Sequence, residues 1–453
     1  MNRSGSNRSS TAFAAEADRL IRPDSRFGVP VPAYEGNSLP NIASTLVKLL
    51  GGGSFRSPPP LPALADELDP FHGRRPEGPV VVLLVDGLGW QALLSSAARG
   101  PNGPAVRWLS QARPITSVFP TTTTVALTSL STGASPGQHG VVGHRVYLPH
   151  FGTVVEMLRM SPLGVRASET LVGPEWSPQL VSGVPSIFRD GLRGVALSRD
   201  RFEGSGFTRL IYDGAEFVPI ATSSDLALGL VDVLTRPDPP SLVFAYWDDL
   251  DVAMHIRGPH PGLVDMELER VDAVLSFVHR HLPSGLSRSV ATIITGDHGQ
   301  VPMEQDRQLV ADRDRTLLSY LSRPPSGDRR ATFFSARKGQ LSALREALLE
   351  RLPPGGRLIE IPEAIEGGLF GPPPFHPELS ERLGDLLVLM PSPGGVSYTV
   401  PGGRSRSHMR GAHGGLEVDE LLVPLIAGTF ATLSGPSGRA AHLPERPSRR
   451  ERR

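Results

Sequence analysis

The sequence predicts an α/β fold: a mostly parallel central sheet with helices on both faces, carrying a small α+β insertion. Three observations predict it. Short, continuous apolar runs recur along the chain, as strands buried on both faces do. Stretches with helical apolar spacing lie between those runs. Several runs end in Asp, Gly or His, at the carboxyl ends where open α/β sheets bind ligands.

The elements follow in order. Residues 1–12 are rich in Ser, Asn and Arg and are expected to be disordered. "LPNIASTLVKLLGGG" has helical spacing and a glycine stop, and "SPPPLP" then breaks the chain, making 51–63 a loop. "PVVVLLVDGLG" (79–89), "PSLVFAYWDDLD" (240–251) and "RSVATIITGDHG" (288–299) are expected core strands, and "LGDLLVLMP" (383–391) joins them as another apolar run. Residues 226–236 and 262–282 are expected helices. Residues 331–362 have the pattern strand, helix, strand between two core strands. The main α/β core is therefore assigned to 13–300 and 381–433, with an inserted subdomain at 301–380. The Pro/Arg-rich tail, 434–453, is expected to be disordered and solvated.

Composition narrows the function. The chain has 453 residues, 39% hydrophobic, enough for a large core. Lys+Arg and Asp+Glu both number 46, so no global field draws in nucleic acid or an anionic membrane. With no cysteine, disulfides, thiolate metal sites and a cysteine nucleophile are excluded. The first residues lack the apolar stretch of a secretory signal, and no window is apolar enough for a membrane span, so a cytoplasmic location is expected.

Three Asp and three His stand at strand ends or in Gly-rich loops. Asp86 follows "VVVLLV", Asp251 and His255 follow "LVFAYW", Asp297 and His298 follow "VATIIT", and His413 lies in "RGAHGGLEVDELL". Each alone has a plain explanation. Asp-Gly after a strand is usually a turn, and Asp-x-x-x-His on a helix is commonly an ion pair. Together they form a sulfur-free N/O donor set that suits zinc, with manganese as the alternative. Six ligands are too many for one catalytic zinc but fit two divalent ions about 4 Å apart, the arrangement of phosphoryl-transfer sites. The stretch "FPTTTTVALTSLSTG" (119–133) then offers a hydroxyl nucleophile, or else only a threonine-rich turn. Asp248 and Asp249 are either supports for the site or a solvated loop. Tyr246 and Trp247 stack on a substrate or, the favoured reading, fill the core.

In order, the chain shows "VDGLG", "FPTTT…STGASPGQHG", "DVAMH", "GDHG" and "AHGG". This succession resembles the alkaline phosphatase superfamily, and within it the nucleotide pyrophosphatase/phosphodiesterase (type I phosphodiesterase) branch. The resemblance spans residues 80 to 426. It implies an alkaline-phosphatase-like fold and a two-metal hydrolase that cleaves phosphodiester or pyrophosphate bonds of small-molecule substrates. It implies Thr123 as nucleophile, passing through a phosphothreonine. It also implies one metal held by Asp86, Asp297, His298 and Thr123, and another by Asp251, His255 and His413. The family pattern has proline and asparagine two and three residues after the nucleophile; Val125 and Ala126 stand there instead. Thr124, a backbone N–H beside Thr123, or Arg145 would then hold the phosphoryl oxygen, making Thr124 and Arg145 candidate substrate-binding residues. The alternatives are a phosphomonoesterase or phosphotransferase of the same superfamily, or a non-catalytic metal-binding protein with this fold.

Overall fold

A computed structural model describes residues 10–52, 60–400 and 409–435. The expected disordered ends lie outside these residues up to 9 and from 436. Residues 10–12, assigned to the disordered end, belong instead to a helix, Ser10–Leu20, and Ser434, assigned to the disordered tail, is buried and donates to the Phe430 carbonyl. No helix among the described residues is long and apolar enough to cross a membrane.

The central sheet has seven strands. Its order is Ala112–Thr116, Leu422–Thr429, Ala291–Thr295, Val80–Val85, Leu242–Trp247, Gly194–Arg199, Glu216–Ile220. The last five in that order run parallel, and Leu422–Thr429 is antiparallel to both its neighbours. Alternation places Val80, Val82 and Leu84 on one face with Ile42 and Leu46 of the helix Leu39–Leu50. Val81, Leu83 and Val85 face the other way, with Leu268, Val271 and Leu275 of the helix Pro261–His281. Each side chain so buried contributes roughly 1.5–3 kcal/mol, which is why these strands carry no polar face.

A second seven-stranded sheet contains three strands of the 301–380 segment but is not made from that segment alone, while Val301–Pro302 and Gln308–Val310 pair elsewhere, with Gly411–Ala412 and Gly395–Ser397. Its order is Arg357–Glu360, Leu386–Leu389, Ala331–Phe334, Ser326–Gly327, Arg145–Leu148, Thr153–Glu156, Ser161–Pro162. Two sequence expectations change here. The run 383–391, expected among the core strands, pairs antiparallel with Ala331–Phe334 and Arg357–Glu360. Residues 145–162 extend the same sheet, where Gly327 pairs with Arg145. The physical reason is that this sheet is also covered on both faces. Leu387 and Leu389 enter one apolar cluster, and Leu386, Val388 and Met390 another. A continuous apolar run therefore shows burial but not which sheet provides it.

Candidate active site

Strand ends bring the expected residues together. Asp86 follows Val80–Val85, and its amide donates to the Trp247 carbonyl at 2.8 Å, joining two parallel strands at their tips. Gly87 has φ +81°, and a Cβ there would lie 2.9 Å from Met254 Cε and 3.2 Å from Asp251 Cα. Only glycine lets the Asp86 turn pass so close to the Asp251 helix. Asp297 and His298 follow Ala291–Thr295. Asp251 and His255 lie on the helix Asp249–Arg257 with four residues' spacing, so both face one way. His413 follows the short strand Gly411–Ala412.

The first cluster contains Asp86, Asp297 and His298. His298 Nε2 lies 3.2 Å from Asp297 Oδ2 and 3.6 Å from Asp86 Oδ1. In each carboxylate one oxygen is fixed by donors. Asp297 Oδ1 accepts the Gly87 and His298 amides, both at 2.9 Å, and Asp86 Oδ2 accepts the Tyr246 hydroxyl. The other oxygens, Asp86 Oδ1 and Asp297 Oδ2, are buried with no hydrogen-bond partner. Burial, and then the carboxylates of Asp297 and Asp251, push the Asp86 carboxyl well above its usual range.

Asp251 and His413 form a second group with His298, close enough to hold an ion, and His255 adjoins it. His255 Nε2 lies 3.3 Å from Asp251 Oδ2 and 3.2 Å from His413 Nε2. The His298 and His413 rings stack at 3.7 Å and 17°, joining the clusters. Each of these three histidines turns Nδ1 to a backbone carbonyl: His255 to Gly411, His298 to Gly299 and His413 to Thr121, at 3.0, 3.1 and 3.0 Å. A carbonyl only accepts, so Nδ1 carries the proton and Nε2 is the nitrogen left to offer a lone pair. Burial, with His298 and His255 adjoining, also holds the His413 pKa well below its usual value. Three lone pairs and two orphaned carboxylate oxygens thus converge. This donor set fits divalent cations, and carbonyl-anchored imidazoles are the usual orientation of metal-binding histidines.

Thr123 begins the helix Thr123–Thr132, and its hydroxyl lies 3.2 Å from His298 Nε2. The other three threonines differ. Thr121 locks the late loop, donating to the Gly415 carbonyl at 2.8 Å and accepting the Gly414 amide at 3.0 Å. Thr122 is buried with an unpartnered hydroxyl. Thr124, the sequence candidate for substrate binding, donates to the Gly143 carbonyl at 2.9 Å and does not line the cavity. Burial in the helix's first turn commits that hydroxyl to the backbone. Arg145, the other candidate, does line a cavity of about 530 Å³ that Thr122, Thr123, Asp251, His255 and His413 also border. Its Nη1 donates to the Tyr398 carbonyl at 3.1 Å.

Sequence reasoning missed several supports. Tyr246, favoured as core, is buried but also orients Asp86. Trp247 is core, and its Nε1 donates to Glu267 at 3.0 Å. Gln300 Nε2 donates to Asp251, and its place two residues after His298 was the available signal. Asp248 and Asp249 form ion pairs instead, Asp248 with Arg199 at 2.7 Å and Asp249 with Arg270 at 2.9 Å.

A doubly covered α/β sheet with paired carboxylate–imidazole clusters at its strand ends, beside a hydroxyl at a helix start, defines a phosphoryl-transfer class of site. A model of the type I phosphodiesterase / nucleotide pyrophosphatase family matches residues 80–416, and the chain belongs to that family, whose activity is phosphodiester or pyrophosphate hydrolysis. Solved structures share the fold. Murine ectonucleotide pyrophosphatase/phosphodiesterase 5, as an inactive variant in complex with AMP, matches with 17% identity and TM-score 0.58, covering 78% of this chain and 88% of that one. The human ectonucleotide pyrophosphatase/phosphodiesterase 5 matches with 17% identity and TM-score 0.55, covering 77% and 87%.

Proposed function

We propose that the protein is a two-metal hydrolase that cleaves phosphodiester or pyrophosphate bonds of small molecules, with Thr123 as the nucleophile. The observation that carries this reading is the Thr123 hydroxyl, 3.2 Å from His298 Nε2, beside two buried carboxylate oxygens that have no partner. Asp86, Asp297, His298 and Thr123 would hold one ion, and Asp251, His255 and His413 the other. Zinc suits this N/O set best, with manganese the alternative. When bound, the ions supply positive charge that lowers the pKa of a coordinated hydroxyl and offsets charge on phosphoryl oxygens. The chain's own work is placement. The helix start fixes Thr123 Oγ1 toward the cavity, and attack on phosphorus gives a phosphothreonine as the ester bond breaks. Water then cleaves that intermediate and frees Thr123. Arg145 and Arg329 in the same cavity suit a phosphate dianion, which favours a phosphomonoesterase as the second reading.

Metal analysis and a Thr123→Ala variant test the proposal. Close to two ions per chain are expected after metal-replete purification, and the variant is expected to lose at least about 10³-fold in kcat. Full turnover by the variant removes Thr123 from the chemistry. A strong preference for p-nitrophenyl phosphate over bis(p-nitrophenyl) phosphate replaces the first reading with the second.

A further inference from the structure

Ala126 leaves the site without the asparagine that the family pattern places three residues after the nucleophile. Its methyl group donates nothing, and it is fully buried in the first turns of the helix. Thr124 is committed to Gly143. A phosphoryl oxygen in the cavity therefore needs another side-chain donor.

Thr122 stands at the N-cap of Thr123–Thr132, with extended backbone at φ −139° and ψ 146°. A threonine there normally turns its hydroxyl onto the helix's first amides. This one makes no capping hydrogen bond. Its Oγ1 is buried and has no partner, although the residue is only 1% exposed. A buried hydroxyl left unsatisfied is destabilising, so a site that keeps one has a use for it. Asp328 lies beside this hydroxyl. Its carboxyl is close enough to be stabilised by the Thr122 hydroxyl, yet no bond of normal geometry joins them. Asp328 Oδ2 accepts the His144 amide at 3.2 Å instead. Thr122 also borders the cavity beside Thr123, where the helix's first amides lie ahead of its internal hydrogen bonds.

The geometry points to Thr122 as a catalytic residue whose hydroxyl donates to a non-bridging phosphoryl oxygen, replacing the missing asparagine. The assignment rests on the reading of Thr123 as nucleophile. The hydroxyl keeps its proton throughout, and it strengthens its hydrogen bond as charge grows on that oxygen.

Four variants and a thio substitution test it. The probes are p-nitrophenyl thymidine 5′-phosphate and its two phosphorothioate diastereomers. Thr122→Val, nearly the same shape, is expected to lose about 10²-fold in kcat, with KM changing much less. Thr122→Ser keeps the hydroxyl and is expected to recover most of the loss. Sulfur accepts hydrogen bonds poorly, so the wild type should discriminate between the diastereomers, and Thr122→Val should narrow that difference. A purely structural role would leave the discrimination unchanged. Wild-type kcat and unchanged discrimination in Thr122→Val overturn the assignment. Should Thr122→Val not fold, Thr122→Ala takes its place, and equal kcat for the Ala and Ser variants overturns the assignment. A Thr123→Ala variant that keeps turnover defeats the nucleophile reading, whereas an inactive Thr123→Ala beside a fully active Thr122→Val defeats this inference alone.

Discussion

Removing metal should destabilise the fold by a margin the structure sets. Asp86 Oδ1 and Asp297 Oδ2 are buried, unpartnered carboxylate oxygens in one cluster. Each such atom costs roughly 1–3 kcal/mol when nothing compensates it. A cation that satisfies both therefore stabilises the protein by roughly 2–6 kcal/mol. For 453 residues, an unfolding entropy of about 2.1 cal/mol/K per residue converts this to a Tm rise of roughly 2–6 °C. The assay is thermal unfolding of chelator-stripped protein with zinc or manganese added back, alongside metal analysis of each sample. Asp297→Asn removes one anion and should lose most of the metal-dependent rise while still folding. Identical Tm values for protein shown to be metal-free and protein shown to hold two ions would refute the reasoning, because the orphaned oxygens would then carry no such cost.

Other consequences follow from neighbouring contacts. Tyr246→Phe removes the donor to Asp86 Oδ2 and should weaken metal binding about 10–100-fold in a chelator competition assay; unchanged affinity would show that the hydroxyl does not orient the ligand. Arg330 is fully buried and binds Glu420 at 2.8 Å and Glu417 at 2.9 Å. Arg330→Met should cost about 3–5 kcal/mol in denaturant unfolding by stranding Glu420, and adding Glu420→Leu should recover part of it. His376 has its pKa lowered to about 4, by burial and then by the Arg382 guanidinium. The folded state resists protonation that the unfolded state accepts near 6.5, so stability is complete above that pH and falls as pH drops toward about 4. In His376→Gln that part of the acid dependence should disappear from a stability–pH curve.

Much of the architecture is legible without tertiary information. Val80–Val85 and Ala291–Thr295 are continuous apolar runs because both faces of the sheet are covered, and periodicity reports that coverage directly. The six ligand-type residues are also legible, since their motifs are local and their order along the chain is distinctive. The assignment of 383–391 to the central sheet failed because Leu386–Leu389 is equally apolar in either sheet. The pairing of Gly327 with Arg145 was hidden for a related reason. Hydrogen-bond register between distant segments leaves no local mark in composition.

The sequence by itself determined the layered α/β class, the sulfur-free ligand chemistry and a threonine-rich segment preceding the late histidine motifs. It did so because burial, donor type and motif order are properties of residues and their near neighbours. The motif register already singled out Thr123, but only the tertiary structure showed what each of the four threonines touches. Thr121 ties down the His413 loop, Thr123 faces His298, Thr124 binds a backbone carbonyl and Thr122 keeps an unused hydroxyl. The four side chains are chemically identical, so their roles depend on which partner each meets across space. That is set by the helix start at Thr123 and by the strands and loops packed around it.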